Sequence, residues 1–360
     1  MEMEEYWYWI CGIKGIYRNQ ISRLTDYFGD PRHLFFAREK EINGLVFLNE
    51  TEKKVLIQAK NNTDIDKEYH NRRKKGIDFI SIGHPAYPER LKKIPDPPFG
   101  LFLKGKLPRE ETYSAAIIGA RRCSGYGRQM AEEIGKKLAA RGIQIISGMA
   151  LGVDGFGQQG ALEAGGSSFG ILGSGVDICY PKRNRDLYDR LTRQGGILSE
   201  YPPGTQPLPI HFPMRNRIIS GLSDVVIVVE AKVKSGSLIT ADCALEQGRE
   251  VYVVPGRMND ELSKGSNLLI AQGAGIITGV DDLLKELGQE REKESKNKKS
   301  KITLETKENL VYSCLDFNSK SLNQILNATN LQVKELTGVL ISLQLKGLVK
   351  ESAKNFYEKI

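Results

Sequence analysis

Three stretches of the chain place cations, hydroxyls and glycines directly after apolar runs. AAIIG (115–119) is followed by Gly119-Ala120-Arg121-Arg122-Cys123-Ser124-Gly125-Tyr126-Gly127. SSFGILG (167–173) leads into Gly173-Ser174-Gly175 and then Tyr180-Pro181-Lys182-Arg183-Asn184. VVIVVEA (225–231) leads into Lys232, Lys234 and Ser235-Gly236-Ser237. Glycine lets backbone approach a ligand closely, serine at position 124 can cap a helix, and unpaired N–H groups at a helix start attract anions. Recurring after three runs, this is the chemistry of a groove for backbone phosphates. A fourth stretch, FPMRNRIISGLS (212–223), sets Arg215, Asn216 and Arg217 where a helix or core strand is about to begin. Its two guanidinium groups either pair with carboxylates inside the fold or face an anion from outside. The expectation is one of each, with a strand-end carboxylate such as Glu230 or Glu200 holding the internal one.

Plainer readings stand beside these. A glycine-rich turn can be only a turn, Lys182 can be ordinary surface charge, and Arg121 or Arg217 can be an internal ion-pair partner. Several chemistries are excluded outright. No G-x-x-x-x-G-K-S/T occurs, so a P-loop ATPase is out. Gly173-x-Gly175 lacks the third glycine of a dinucleotide fingerprint and does not follow the first strand, so no nicotinamide cofactor is expected. Four scattered histidines and five cysteines without a C-x-x-C pair argue against a metal site or a disulfide framework and for a reducing cytoplasm. No cofactor is expected. Glu200, Glu230 and Glu246 leave one enzymatic alternative, cleavage of N-glycosidic bonds in nucleotide metabolism.

The elements that position these residues follow from patterning. A chain of 360 residues suggests two or three domains, and its net charge of +8 is compatible with a polyanionic partner. The apolar runs named above, with IQIIS (143–147), GILSEY (196–201) and EVYVVPG (250–256), alternate with amphipathic stretches such as RQMAEEIGKKLAARG (128–142) and SGSLITADCALEQGR (235–249). Nearly continuous apolar strands separated by helices imply an α/β fold, a doubly wound, Rossmann-like, mostly parallel sheet covered on both faces. GAGIITG (273–279) is a candidate last strand. In such sheets ligands bind outside the carboxyl ends of the strands, where the basic loops fall. The divisions are a helical region 1–80, an α/β core 81–285, a charged linker 286–301 and a winged helix-turn-helix over 302–360, with a turn at 328–330 and a helix over 332–345. MEMEEYWYW is no signal leader, and no apolar stretch reaches about eighteen residues, so no spanning helix is expected and the location is cytoplasmic.

The ordered blocks IIGARRCSGYG, IISGMALGVDGFGQQGAL, GILGSGVDICYPKRN, HFPMRNRIISGLSDVVIVVEAKVKSGSLITA and GREVYVVPG resemble the DNA-processing protein A family (DprA, also called Smf) over roughly residues 80 to 285. The flanking regions resemble that family's sterile-alpha-motif-like and winged-helix domains. The resemblance implies a non-enzymatic protein that binds and shields single-stranded DNA during natural transformation and loads a RecA-type recombinase, as a homodimer. By position it makes Arg121 and Lys182 strand contacts. Gly119, Ser124, Asn184, Arg215, Asn216, Arg217, Ser235, Gly236 and Ser237 line the implied groove. Two departures stand out. Gly119-Ala120-Arg121 replaces the family's usual Gly-Ser-Arg, and Gln158 replaces its usual histidine, which keeps a hydrogen bond but no proton-transfer role.

Overall fold

The computed structural model describes residues 2–289 and 304–359, and the chain divides into two compact units, Met1–Arg291 and Glu292–Ile360. The first is built on a nine-stranded sheet. Its strands are β1 (Asp78–Ser81), β2 (Gly100–Gly105), β3 (Ser114–Ile118), β4 (Gln144–Ser147), β5 (Ser168–Ile171), β6 (Gly196–Ser199), β7 (Val225–Val228), β8 (Glu250–Val253) and β9 (Gly275–Ile276). They lie in the order β1-β2-β6-β5-β4-β3-β7-β8-β9. From β6 to β9 all neighbours run parallel, while β1 and β2 add an antiparallel edge. Every residue of β3, β4, β5, β6 and β7 is buried, which is why, Gln144 apart, these segments are continuously apolar or small rather than alternating. The chain builds outward from β3 to β6, returns to the other side of β3 with β7, and so places the reversal of strand order between β3 and β7.

Two expected boundaries shift. A division at 80/81 cuts through β1, whose Phe79 lies opposite Phe102 of β2. The N-terminal helices also share one hydrophobic core with the sheet: Tyr6, Trp9, Ile10 and Leu24 cluster with Phe79, Phe102, Leu172 and Leu191. Residues 1–80 are therefore not a separate body. Of the expected linker, the part from residue 290 lies outside the described residues, and residue 286 ends the Val280–Glu286 helix.

Glycines let two helices over one face of the sheet, Gly125–Ala139 and Val153–Glu163, pack unusually closely. A Cβ on Gly135 would overlap the Gly157 carbonyl, and one on Gly160 the Glu132 carbonyl. Within GVDGFGQQGAL, Gly157 and Gly160 thus serve a helix interface, while Gly152, at φ 79°, precedes the helix and lies against the loop after β3.

The second unit holds the helices Thr306–Cys314, Leu322–Thr329 and Val333–Leu345 and a three-stranded antiparallel sheet of Lys320–Ser321, Val349–Ala353 and Phe356–Lys359. Asn330, with φ 53°, ends the middle helix in the left-handed region that asparagine tolerates. Val311, Ile325, Leu336, Leu340 and Leu343 form its core. Glu308 is buried beside it, accepting from Lys346 Nζ at 2.6 Å and Ser342 Oγ at 2.7 Å. These bonds hold its pKa down from 4.5 to about 2. A depressed folded pKa stabilises above the unfolded value and loses that contribution as pH falls through the folded one. Acid titration should therefore weaken this unit between pH 4.5 and about 2. Glu308→Gln should flatten that part of a denaturation-versus-pH curve; an unchanged slope would assign it to other groups. Among the described residues no helix is long and apolar enough to cross a membrane.

Candidate nucleic-acid interface

A cavity of about 410 Å³ opens at the carboxyl ends of β3 and β7, where the strand order reverses. Gly119 and Arg121 reach it from the loop after β3, Ala150 and Asp154 from beyond β4, Tyr180 from beyond β5, and Ser235, Gly236 and Ser237 from beyond β7. Phe212, Arg215 and Asn216 close it from one helix. The sheet therefore brings the three basic loops to one edge.

The cationic rim is exposed. Arg121 projects over the Phe212 ring, 5.3 Å from its centroid, and Phe212 lies against Tyr180 with centroids 5.5 Å apart and planes 32° apart. Lys182 is exposed in the short turn Lys182–Asn184, just beyond Tyr180. Lys232 and Lys234 are exposed after β7, and Gly236 has open space where a side chain would stand. Gly119 has none, because a Cβ there would crowd Val153 and the Glu230 carbonyl.

Other expected contacts turn inward. Ser124 caps the Gly125–Ala139 helix, but its N–H and Oγ both donate to Glu230, the N–H at 2.9 Å. An internal carboxylate therefore occupies the helix N-terminus that the sequence offers to a ligand anion. Asn184 donates to the carbonyls of Met149 at 2.9 Å and Ala150 at 3.2 Å, fixing the loop after β4 rather than facing solvent. Ser235 caps the Gly236–Glu246 helix and its hydroxyl meets that of Ser237 at 2.7 Å.

The arginine pair is also placed differently from expectation. FPMRNR does not precede a helix but lies inside one, His211–Gly221. Arg217 grips Glu200 with both terminal nitrogens, at 2.8 and 2.6 Å, and its Nε donates to the Asp96 carbonyl at 2.9 Å. Burial pulls its pKa down, but Glu200 outweighs that and raises it. The internal partner is thus Glu200 rather than Glu230, and Arg217 does not face the groove. Arg215 is buried as well, donating to the carbonyls of Gly148 at 2.9 Å and of Ile171, and to Asn216 Oδ1 at 3.2 Å. Asn216 in turn donates to the Gly236 carbonyl at 3.1 Å, tying the two helices together.

Asp154 escaped the sequence reading. It is buried at the cavity wall, accepts from the Gly148 N–H at 3.1 Å, and has its pKa raised by burial against the opposing pull of Arg215. Its only signal is position: an acid in the first turn of a helix that follows a strand. Gln158 lies elsewhere, under β5, donating to the Phe169 carbonyl at 3.0 Å and to Ser168 Oγ at 3.3 Å. Its departure from the family pattern concerns packing, not chemistry in the cavity. None of Glu200, Glu230 and Glu246 lines the cavity, and the first two are engaged by Arg217 and Ser124.

Fold and site together define a doubly wound α/β protein with a basic, aromatic and glycine-lined opening at its topological switch point. The chain belongs to the DNA recombination-mediator protein A family, whose model matches residues 78–288. It is similar to DNA processing protein DprA of Bacillus subtilis, 44% identical over 216 residues that make up 60% of this chain and 73% of that one. Among solved structures, DNA processing protein A from Streptococcus pneumoniae aligns with a TM-score of 0.68 and 35% identity, covering 79% of this chain and 99% of the other. DNA processing protein A from Helicobacter pylori, whose structure was described for a single-stranded DNA binding mode, aligns with a TM-score of 0.55 and 32% identity over 59% of this chain and 96% of that one.

Proposed function

We propose that this protein binds single-stranded DNA across the β3–β7 opening and acts in DNA processing during transformation, handing the strand to a RecA-type recombinase as a homodimer and without catalysis. The observation that carries the reading is the exposed rim of Arg121 over Phe212 and Tyr180, with Lys182 alongside. Cations track phosphates and ring faces stack bases, and the combination suits an unpaired strand better than a duplex. Gly119, Gly236 and the Ser235–Ser237 backbone allow close approach. Ser124, Asn184, Asn216 and Arg217 serve by fixing the loops and helices that present the rim. The three glutamates considered for glycosidic-bond cleavage lie outside the cavity lining, and the carboxylate that does line it, Asp154, is engaged by the Gly148 N–H.

A salt-titrated binding curve tests this, with single- and double-stranded oligonucleotides of equal length. Single strands should bind more tightly, with a log–log salt slope of about −0.7 per phosphate neutralised. A flat salt response or a preference for duplex would overturn the reading.

The second unit we read as a winged helix that the strand site does not require. Its Val333–Leu345 helix carries Lys334 beside Glu335, and Glu335 is paired with Lys307 at 2.7 Å, which gives little net charge for reading a duplex. A chain ending near residue 288 should fold and keep single-strand affinity within a few-fold; complete loss of binding would place part of the main site in the second unit.

A further inference from the structure

Among the N-terminal helices, Glu5 presents an electrostatic problem that the fold leaves open. It sits in the first turn of the helix Met3–Gly12 and is only 7% exposed. Among the described residues its carboxylate accepts one hydrogen bond, from the Glu2 N–H to Oε2 at 3.1 Å, and pairs with no lysine or arginine. Its Oε1 has no donor. A buried carboxylate is costly unless a positive charge meets it. Arg217, by contrast, answers the half-buried Glu200 directly.

A second helix, Ile65–Lys74, brings two more ligand groups to the same place. Asp66 and His70 stand at i and i+4 on it and so share a face. Asp66 Oδ1 and His70 Nδ1 are 3.3 Å apart, and one ligand atom from each of Glu5, Asp66 and His70 lies within 4.8 Å of the others. Ligand atoms about 2.0–2.2 Å from a tetrahedral zinc ion sit roughly 3.3–3.5 Å from one another. One edge of such a polyhedron is therefore already in place, and the other two close by about 1.5 Å at most. Asp66 and His70 are exposed and can turn towards Glu5, which burial holds in position. His70 Nδ1 also lies 2.8 Å from the Asp66 carbonyl, a bond the ring exchanges for the ion by moving its proton to Nε2. Two carboxylates and a neutral imidazole match a divalent ion. A nitrogen among the ligands favours zinc and its neighbours over magnesium and calcium, which take oxygens alone. Scattered histidines argue against a metal site in sequence, but a site with a single imidazole needs no spacing between histidines. It needs two helices brought together by the fold.

We propose that Glu5, Asp66 and His70 form a site for a divalent transition-metal ion, zinc first among them, which clasps the Met3–Gly12 helix to the Ile65–Lys74 helix. Water fills the remaining coordination position. The Met3–Gly12 helix supplies Tyr6, Trp9 and Ile10 to the core shared with the sheet, so an ion bound there stabilises the whole first unit. The site is independent of strand binding and stands or falls without it.

The test uses the full chain, stripped with chelator, dialysed into metal-free buffer and titrated with zinc chloride by calorimetry and with cobalt chloride by absorption. Zinc should bind saturably, one ion per chain, and raise the melting temperature, while magnesium should do neither. Cobalt should give the visible bands of nitrogen and oxygen ligation. An intense near-ultraviolet thiolate band would instead place the ion on the free cysteines and overturn the site. His70→Ala and Asp66→Asn, both at exposed positions, should fold and lower zinc affinity by on the order of tenfold or more. Glu5→Gln can keep the bond from the Glu2 N–H, as glutamine does in a capping box, and should lose at least as much. His33 serves as the control, because it too lies beside an aspartate, Asp30, at 3.0 Å. His33→Ala should leave the affinity unchanged. No saturable binding, an affinity equal in wild type and His70→Ala, or an equal loss in His33→Ala would each overturn the proposal. Should Glu5→Gln fail to fold, the two exposed variants and the cobalt spectrum decide.

Discussion

Arg217→Ala should lower the free energy of unfolding of the first unit by about 3–5 kcal/mol, the usual loss when one member of a buried ion pair is removed. The pair is two-pronged, at 2.8 and 2.6 Å, with side-chain exposures of 8% for Arg217 and 13% for Glu200. The substitution strands the Glu200 carboxylate and also leaves the carbonyls of Asp96 and Met214 without their donor. Asp96 is in turn paired with Arg18 at 2.7 Å, so the disturbance reaches from the end of β6 to the N-terminal helices. Urea denaturation measures the loss. Adding Glu200→Gln should return a substantial part of it, because the uncompensated charge rather than the missing contact dominates. A loss below about 1 kcal/mol would mean that water reaches the pair and screens it as at a surface.

The parallel strands β3 to β7 were legible because each is buried on both faces and so reads as a nearly unbroken run of apolar or small residues. β1 and β2 were not, since they join the sheet antiparallel at one edge and their pairing depends on chain far away in sequence. The Val153–Glu163 helix was hidden by its glycines, whose use appears only once the Gly125–Ala139 helix lies against them. At the site, the loops after β3, β5 and β7 were legible as basic and glycine-rich, and one sheet edge does gather them. Which carboxylate meets which donor was not legible, because it follows from strand order. Glu230 follows β7, which pairs with β3, so it reaches Ser124 after β3. Glu200 follows β6 and reaches Arg217 instead. Both are acids near strand ends, and only the sheet tells them apart. The same reasoning explains Ser124 and Asn184, whose polar side chains look available in sequence but are consumed by backbone or carboxylate partners that the fold supplies.

Arg121→Ala and Lys182→Ala should each weaken single-strand binding by roughly 1 kcal/mol or more, about what one charge-assisted contact to a phosphate contributes. Each should also make the log–log salt slope shallower by about 0.7, one counterion's worth on a single strand. Stability should move by less than about 0.5 kcal/mol, as for surface positions generally. Both residues are exposed, and among the described residues neither makes an ion pair whose loss would strand a buried charge. Arg121 carries a second role, since its guanidinium lies 5.3 Å from the Phe212 centroid. Its removal also takes away the cation–π contact that holds the Phe212 ring proposed to stack a base, so its effect should exceed that of Lys182→Ala. Arg121→Lys separates the roles, because lysine keeps the charge but not the planar fork that lies over an aromatic face. It should restore the salt slope while recovering only part of the affinity. If instead Arg121→Ala leaves both slope and affinity unchanged, the rim is not where the strand runs. The double variant should lose about the sum of the two effects if the residues touch separate phosphates, and less than the sum if one phosphate lies between them.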